Sequence, residues 1–138
     1  MHIRRIVSTA VILLIAAPGM ALTPTAEAST LGTCTGIGGH LDDAGGVAQV
    51  PTIGTTVRSF DCLLGVGNAN PAVGDLQNAL NACYGAGLSV DNNFGSLTKA
   101  ALEVAQRKVA VTPDGVYGPQ TRESIHWPDS VGLCVPLQ

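Results

Sequence analysis

The most regular pattern of apolar and polar positions predicts a first helix over residues 71–84. Its apolar positions recur every three or four residues and so share one face: Val73, Leu76, Leu80 and Cys83 or Tyr84. Asn70 can accept a hydrogen bond from a free backbone N–H, and Pro71 suits the first helical position because it has no N–H to leave unpaired. Gly85 provides the end of this helix.

Two further helices are predicted downstream. The second should begin near Ser96, with an apolar side formed by Leu97, Ala101, Val104 and Ala105 and an outer side formed by Lys99, Glu103 and Arg107. The third is short; it should begin at Pro119, end before Pro128 and bury Ile125.

The segment 29–61 differs, because it is rich in Gly, Thr and Ser and has no sustained helical or alternating period. A short strand at 47–50 or 55–60 fits the composition, but Pro51 and Gly54 interrupt the run. We therefore predict an all-α fold. It would consist of a small three-helix bundle over 62–138 and an irregular, disulfide-linked N-terminal arm over 29–61.

The first residues have the order of a secretory signal: a basic start, an apolar stretch over 6–22 and a small-residue exit at Ala26 and Ala28. The alternative is an uncleaved membrane anchor, which Pro18 and Gly19 disfavour because they interrupt the apolar run. We predict a signal peptide over 1–28 and a secreted, cell-wall-associated chain with no membrane segment after cleavage.

The cysteines indicate the redox compartment. All four follow the predicted cleavage site: Cys34, Cys62, Cys83 and Cys134. Exported cysteines normally form disulfides, and these lack the close pairs of a zinc site. We therefore expect two disulfides, no metal and no cofactor. Three pairings are possible; Cys34 with Cys62 and Cys83 with Cys134 is favoured, because the second bond would tie the chain's end to the first helix.

Charge excludes some partners. The chain has 7 basic and 10 acidic side chains, and removing 1–28 would leave five basic and nine acidic ones. The basic residues form no run that could follow a phosphate backbone or hold an anionic membrane surface, so nucleic acid is not an expected partner. Roughly 110 residues suit one small domain, and we expect a monomer.

An internal repeat stands out, because residues 88–98 match 111–121. Each copy has an apolar anchor, an Asp-led turn, an aromatic residue, a glycine, and a threonine in the first turn of a helix. Asp can accept hydrogen bonds from the following backbone amides, and the aromatic residue should pack inward. The repeat predicts a pseudo-symmetric pair of loop-helix units.

Several motifs occur in one register: Val73-x-x-Leu76-Gln77-x-x-Leu80-Asn81, Asp91-x-x-Phe94-Gly95-x-x-Thr98-x-x-Ala101-Leu102, Gln106, and Asp114-Gly115-Val116-Tyr117-Gly118-Pro119-x-Thr121. With these motifs the chain resembles, over 62–127, the type-1 peptidoglycan-binding domain appended to many bacterial cell-wall hydrolases. The resemblance implies a three-helix domain without catalytic residues and with a shallow groove for glycan or stem peptide. The chain departs from the family pattern at three positions. Asn92 stands where the family usually has glycine, Ser96 where it often has proline, and Ala105 where it commonly has an aromatic residue.

Candidate ligand residues follow from the repeat. The better-preserved second copy is the first candidate, because its turn amides and hydroxyl can bond the acetamido and amide groups of a wall polymer; it contributes Asp114, Gly115, Tyr117, Gly118 and Thr121. Further candidates are Asp91, Phe94, Gly95 and Thr98 of the first copy, Trp127 and Tyr84 as flat faces for a sugar, and Gln77 and Gln106 as amide partners. For each residue the alternative is a structural role, in a cap, in the core or at a solvated helix position.

No catalytic constellation emerges. His40, Asp42 and Asp43 lack a further histidine nearby to complete a zinc set, and no G-x-S-x-G motif is present. The leading hypothesis is a secreted, non-catalytic protein that recognises peptidoglycan. The alternatives are a secreted protein-protein interaction module with the same fold, and a small wall hydrolase with its active site in the arm.

Overall fold

The computed structural model describes residues 31–42, 45–54 and 59–137, and the predicted signal peptide lies outside them. Three helices are present, α1 (Pro71–Tyr84), α2 (Ser96–Lys108) and α3 (Pro119–Ser124). The predicted ends of α1 are confirmed. The Asn70 side chain accepts the Ala72 N–H at 3.0 Å, and Gly85 has a left-handed conformation (φ 65°) and donates its N–H to the Asn81 carbonyl at 3.1 Å.

The buried face of α2 differs from the prediction. Ala105 is buried as expected, but Leu97 is 76% exposed and Val104 is 42% exposed. The buried positions are Thr98, Leu102, Ala105 and Gln106. Two polar side chains therefore occupy the inner face, and two apolar ones lie outside.

The all-α prediction is wrong, because the fold also contains two antiparallel strand pairs. Strand β1 (Gly36–Leu41) pairs with β2 (Val47–Thr52), and β3 (His126–Pro128) pairs with β4 (Cys134–Pro136). No helix among the described residues is long and apolar enough to cross a membrane.

The hairpin β1–β2 forms where an irregular arm was predicted. In β2, Ala48 and Val50 are fully buried while Val47 and Gln49 are exposed, so residues 47–50 follow the period-two pattern of a strand with one inner face. Pro51 is tolerated because each strand of a two-stranded sheet has a free edge where no N–H is needed. Gly39 allows the close approach of β2, since a Cβ at this position would lie 2.9 Å from a Val47 methyl group.

The hairpin β3–β4 begins directly after α3. Ile125 is buried as predicted, but its backbone is already extended (φ −77°, ψ 156°). Trp127 precedes Pro128, and a residue before proline is disfavoured in a helix. Trp127 therefore lies in β3 rather than at the end of a helix.

Two disulfides connect these elements, and their pairing confirms the one favoured from the sequence. Cys34 bonds Cys62 and Cys83 bonds Cys134, with Cα–Cα distances of 5.1 and 5.6 Å. Helix α1 is central, with β2, β3 and α2 all packed on it. Residues of β2 and of the helices belong to one buried cluster. The boundary at residues 61 and 62 between an arm and a domain remains a prediction.

Candidate functional site

The two copies of the repeat are each held by a buried glutamine. In the second copy, the Gln106 side-chain amide donates to Asp114 Oδ1 (2.9 Å), the Val116 carbonyl (3.0 Å) and Thr121 Oγ1 (3.0 Å). The Gln106 carbonyl oxygen accepts the Gly115 N–H at 2.9 Å. Every polar atom of this side chain is thus used to hold the loop between α2 and α3.

The first copy repeats this arrangement atom for atom. The Gln77 side-chain amide donates to Asp91 Oδ1 (2.9 Å), the Asn93 carbonyl (3.1 Å) and Thr98 Oγ1 (3.1 Å). Its carbonyl oxygen accepts the Asn92 N–H at 3.1 Å. The predicted pair of pseudo-symmetric loop-helix units is present, and each unit includes a glutamine from the preceding helix.

One departure from the family pattern has a structural explanation. In the second copy, Gly115 (φ 68°) lies against the Lys99 and Glu103 side chains, and a Cβ there would approach Lys99 Cγ to 2.5 Å. In the first copy, Asn92 takes the same left-handed conformation (φ 61°). The helix position equivalent to Glu103 is Gly74, and a Cβ on Gly74 would overlap the Asn92 side chain. The loop and the preceding helix thus meet at one contact in each copy. The glycine of that contact is in the loop in the second copy (Gly115) and in the helix in the first copy (Gly74).

Three of the four predicted aromatic candidates lie in the core, and the fourth, Tyr84, is half-buried. Phe94 is 1% exposed, and Tyr117 and Trp127 are fully buried. The Trp127 indole N–H donates to the Arg122 carbonyl at 3.0 Å, and its ring contacts Tyr117 edge to face. These three buried side chains present no surface to a ligand in this arrangement.

The other predicted ligand residues divide by exposure. Six are buried: Gln77, Gln106, Gly115, Gly118, Thr98 and Thr121. Gly95 is half-buried, and only Asp91 and Asp114 are exposed. Hydrogen bonds from the Gln77 amide and the Asn93 N–H lower the pKa of the Asp91 carboxyl group, so it is negatively charged at neutral pH.

Two cavities adjoin the first copy of the repeat. The larger, about 450 Å³, is lined by Tyr84, Gly85, Ala86, Gly87, Leu88, Ser89, Leu97, Ala100, Ala101 and Val104. The smaller, about 250 Å³, is lined by Gln77, Leu88, Ser89, Asp91, Asn93, Gly95, Ser96, Leu97 and Thr98. They share Leu88, Ser89 and Leu97, and together they form one depression, here named the α2 groove.

The α2 groove was not predicted from the sequence, although several of its residues were named there as the apolar side of α2. Because Leu97 and Val104 are apolar and lie at helical spacing, the sequence predicted that they pack in the core. Their place in a groove follows from the burial of Thr98 and Gln106, which rotates α2 so that its small apolar face is open.

Other candidate chemistry is not brought together. Within the described ranges, no three side chains of His, Cys, Asp or Glu are placed to hold a metal ion. His40 lies on β1 with its ring edge against Phe60, and Asp42 Oδ1 accepts the Gly46 N–H at the hairpin turn. Asp43 lies outside the described residues.

Comparison with known families agrees with this geometry. Residues 69–125 match the family model described as "Putative peptidoglycan binding domain", which confirms the resemblance expected from the motifs. The match contains all three helices and both glutamine-held loops, whereas β1–β2 and β3–β4 lie outside it. No curated protein and no solved structure matches the chain.

Proposed function

We propose that this is a secreted, non-catalytic protein that binds peptidoglycan through the α2 groove, because residues 69–125 match the family model of a putative peptidoglycan-binding domain. The observation that carries the proposal is the open apolar face of α2 inside the family segment. Leu97 and Val104 are exposed there beside a cavity of about 450 Å³. Ligand sites are typically concave and mostly apolar, with a few polar groups.

The contacts within the second copy explain why the first is preferred as the binding face. Lys99 and Glu103 form an ion pair at 3.2 Å on α2, and both side chains lie against Gly115. Gly115 of the second loop is therefore covered, whereas residues of the first loop line both cavities.

Secretion is part of the proposal, and two features support it. The leader-like pattern of residues 1–28 is typical of exported chains. The two disulfides suit an oxidising compartment outside the cytosol.

Sedimentation with insoluble peptidoglycan tests the proposal. We expect the protein to sediment and the double variant Leu97→Ser/Val104→Ser to bind about tenfold to thirtyfold more weakly, because two apolar side chains no longer leave water on binding. A matched control is Val131→Ser/Leu133→Ser, which removes two residues that are 76% and 63% exposed on the β3–β4 turn.

The control variant should bind as the unaltered protein does. If both double variants bind equally well, the α2 groove is not the binding site, and that part of the proposal is refuted. A protein that stays in the supernatant across moderate salt, while an established wall-binding module sediments, would refute peptidoglycan binding.

A further inference from the structure

The two ends of the α2 groove carry opposite charges. At one end Lys108 Nζ lies 5.6 Å from the centre of the Tyr84 ring, which lines the larger cavity. Lys108 forms no ion pair with the described acidic side chains. At the other end, Asp91 lines the smaller cavity with an exposed carboxylate. A ligand with an anionic and a cationic group would be complementary to both ends.

The length of the groove suits a short peptide. Leu97, Ala101, Val104 and Lys108 follow one another along one face of α2. A helix rises 1.5 Å per residue, so the distance along α2 from Leu97 to Lys108 is about 16 Å. An extended chain covers about 3.3 to 3.6 Å per residue, which corresponds to four or five residues.

The loop beside the groove offers backbone hydrogen bonds. The N–H and C=O groups of Leu88 are both bonded to the Asn81 side chain, at 2.7 and 2.8 Å. Those of the next residue, Ser89, have no hydrogen-bond partner within the described structure, and Ser89 lines both cavities. Free backbone groups beside an apolar groove are the elements that recognise an extended peptide.

A glycan would lack its usual platform in this groove. Sugar rings pack on exposed aromatic faces, but Tyr84, the aromatic residue that lines the groove, is half-buried and has Lys108 over its ring. Its hydroxyl oxygen already accepts the His126 N–H at 2.7 Å. The remaining lining of the larger cavity is aliphatic or small, which suits small side chains such as alanine.

We infer that the α2 groove binds the short peptides of peptidoglycan rather than its glycan strands, with a peptide carboxylate at Lys108 and a peptide ammonium group at Asp91. This inference rests on the proposed function and specifies the ligand class of the same site.

Calorimetric titration of the protein with two soluble probes tests the inference. The probes are the peptides released from peptidoglycan by amidase digestion and the peptide-free glycan strands left behind. We expect the peptides to bind and the glycan strands not to bind. Lys108→Gln and Asp91→Asn should each weaken peptide binding by at least about threefold, because each removes one charge-assisted contact.

The internal repeat supplies a matched control for each variant. Asp114→Asn changes a carboxyl group with the same local hydrogen bonds as Asp91, from a glutamine amide and from the N–H two residues on, but in the second copy. Arg107→Gln removes the exposed cation that precedes Lys108 on α2, whereas it is Lys108 that lies over the Tyr84 ring. Both control variants should bind the peptides as the unaltered protein does.

Binding of the glycan strands without binding of the peptides would overturn the inference, as would equal peptide affinities for the charge variants and their controls. Either result leaves wall binding intact if the protein still sediments with whole peptidoglycan. Failure to sediment would instead refute the proposed function.

Discussion

Burial of one carboxyl group on α1 allows a quantitative prediction about pH. Asp75 Oδ2 is buried without a hydrogen-bond partner, and so is the hydroxyl oxygen of Tyr117. Burial raises the pKa of Asp75 from 3.8 to about 7, because the charged form loses its hydration. The Tyr117 pKa is also raised, chiefly by burial and further by the negative charge of Asp75.

The sign of the effect follows from proton binding. Between about pH 4 and pH 7 the folded protein holds a proton on Asp75 that the unfolded chain has released. The free energy of unfolding should therefore fall as pH rises through this window. A pKa difference of about three units corresponds to about 4 kcal/mol, which is a large part of the stability of a small domain.

The substitution Asp75→Asn tests this reasoning, since it keeps the shape of the side chain and removes its titration. Denaturant unfolding should show the variant as stable as the unaltered protein near pH 4 and more stable at pH 8, by up to about 4 kcal/mol. Asp114→Asn, at an exposed carboxyl group, is the control and should show no such gain. A difference between Asp75→Asn and the unaltered protein that stays constant from pH 4 to pH 8 would refute the argument.

Two further predictions concern the repeat. Gln106→Leu should lower the free energy of unfolding by about 2 to 4 kcal/mol, because it leaves buried loop groups without partners; thermal unfolding should show little change for exposed Gln120→Leu. Gly74→Ala should destabilise the protein, whereas in an Asn92→Gly background the overlap is absent and the same change should be neutral or stabilising. A double-mutant cycle with a coupling energy below about 0.5 kcal/mol would contradict this.

The helices could be predicted because their signals are local. Asn70, Pro71 and Gly85 each act on backbone groups a few residues away, so their chemistry can be read without knowledge of the fold. The hairpin β1–β2 depends instead on pairing between residues far apart, such as Gly36 with Thr52. Its pattern spans only a few positions, and the proline within β2 weakens it further.

The candidate site was harder to predict, because exposure is a property of the tertiary structure. Asp, Gln and Thr of the repeat have the donors and acceptors that a ligand site needs, and the sequence cannot distinguish that use from internal bracing. The structure shows the bracing directly, with the Gln106 amide bonded to Asp114 and Thr121. Leu97 was mispredicted in the opposite direction. An apolar residue at helical spacing is usually buried, but Leu97 is exposed.

The difference between the two copies accounts for the position of the groove. At the repeat offset of 23 residues, Leu97 corresponds to Gln120. Val104 has no helical counterpart, because α3 ends at Ser124 and the chain continues into β3. Trp127 is fully buried in β3 and packs on Tyr117, and β4 is tied to the end of α1 by Cys83–Cys134. The chain after the second copy thus contributes a bulky core residue, whereas α2 after the first copy has an exposed valine. The open helix face therefore lies beside the first copy, although its motif is the less preserved, and this is the face that we propose binds peptidoglycan.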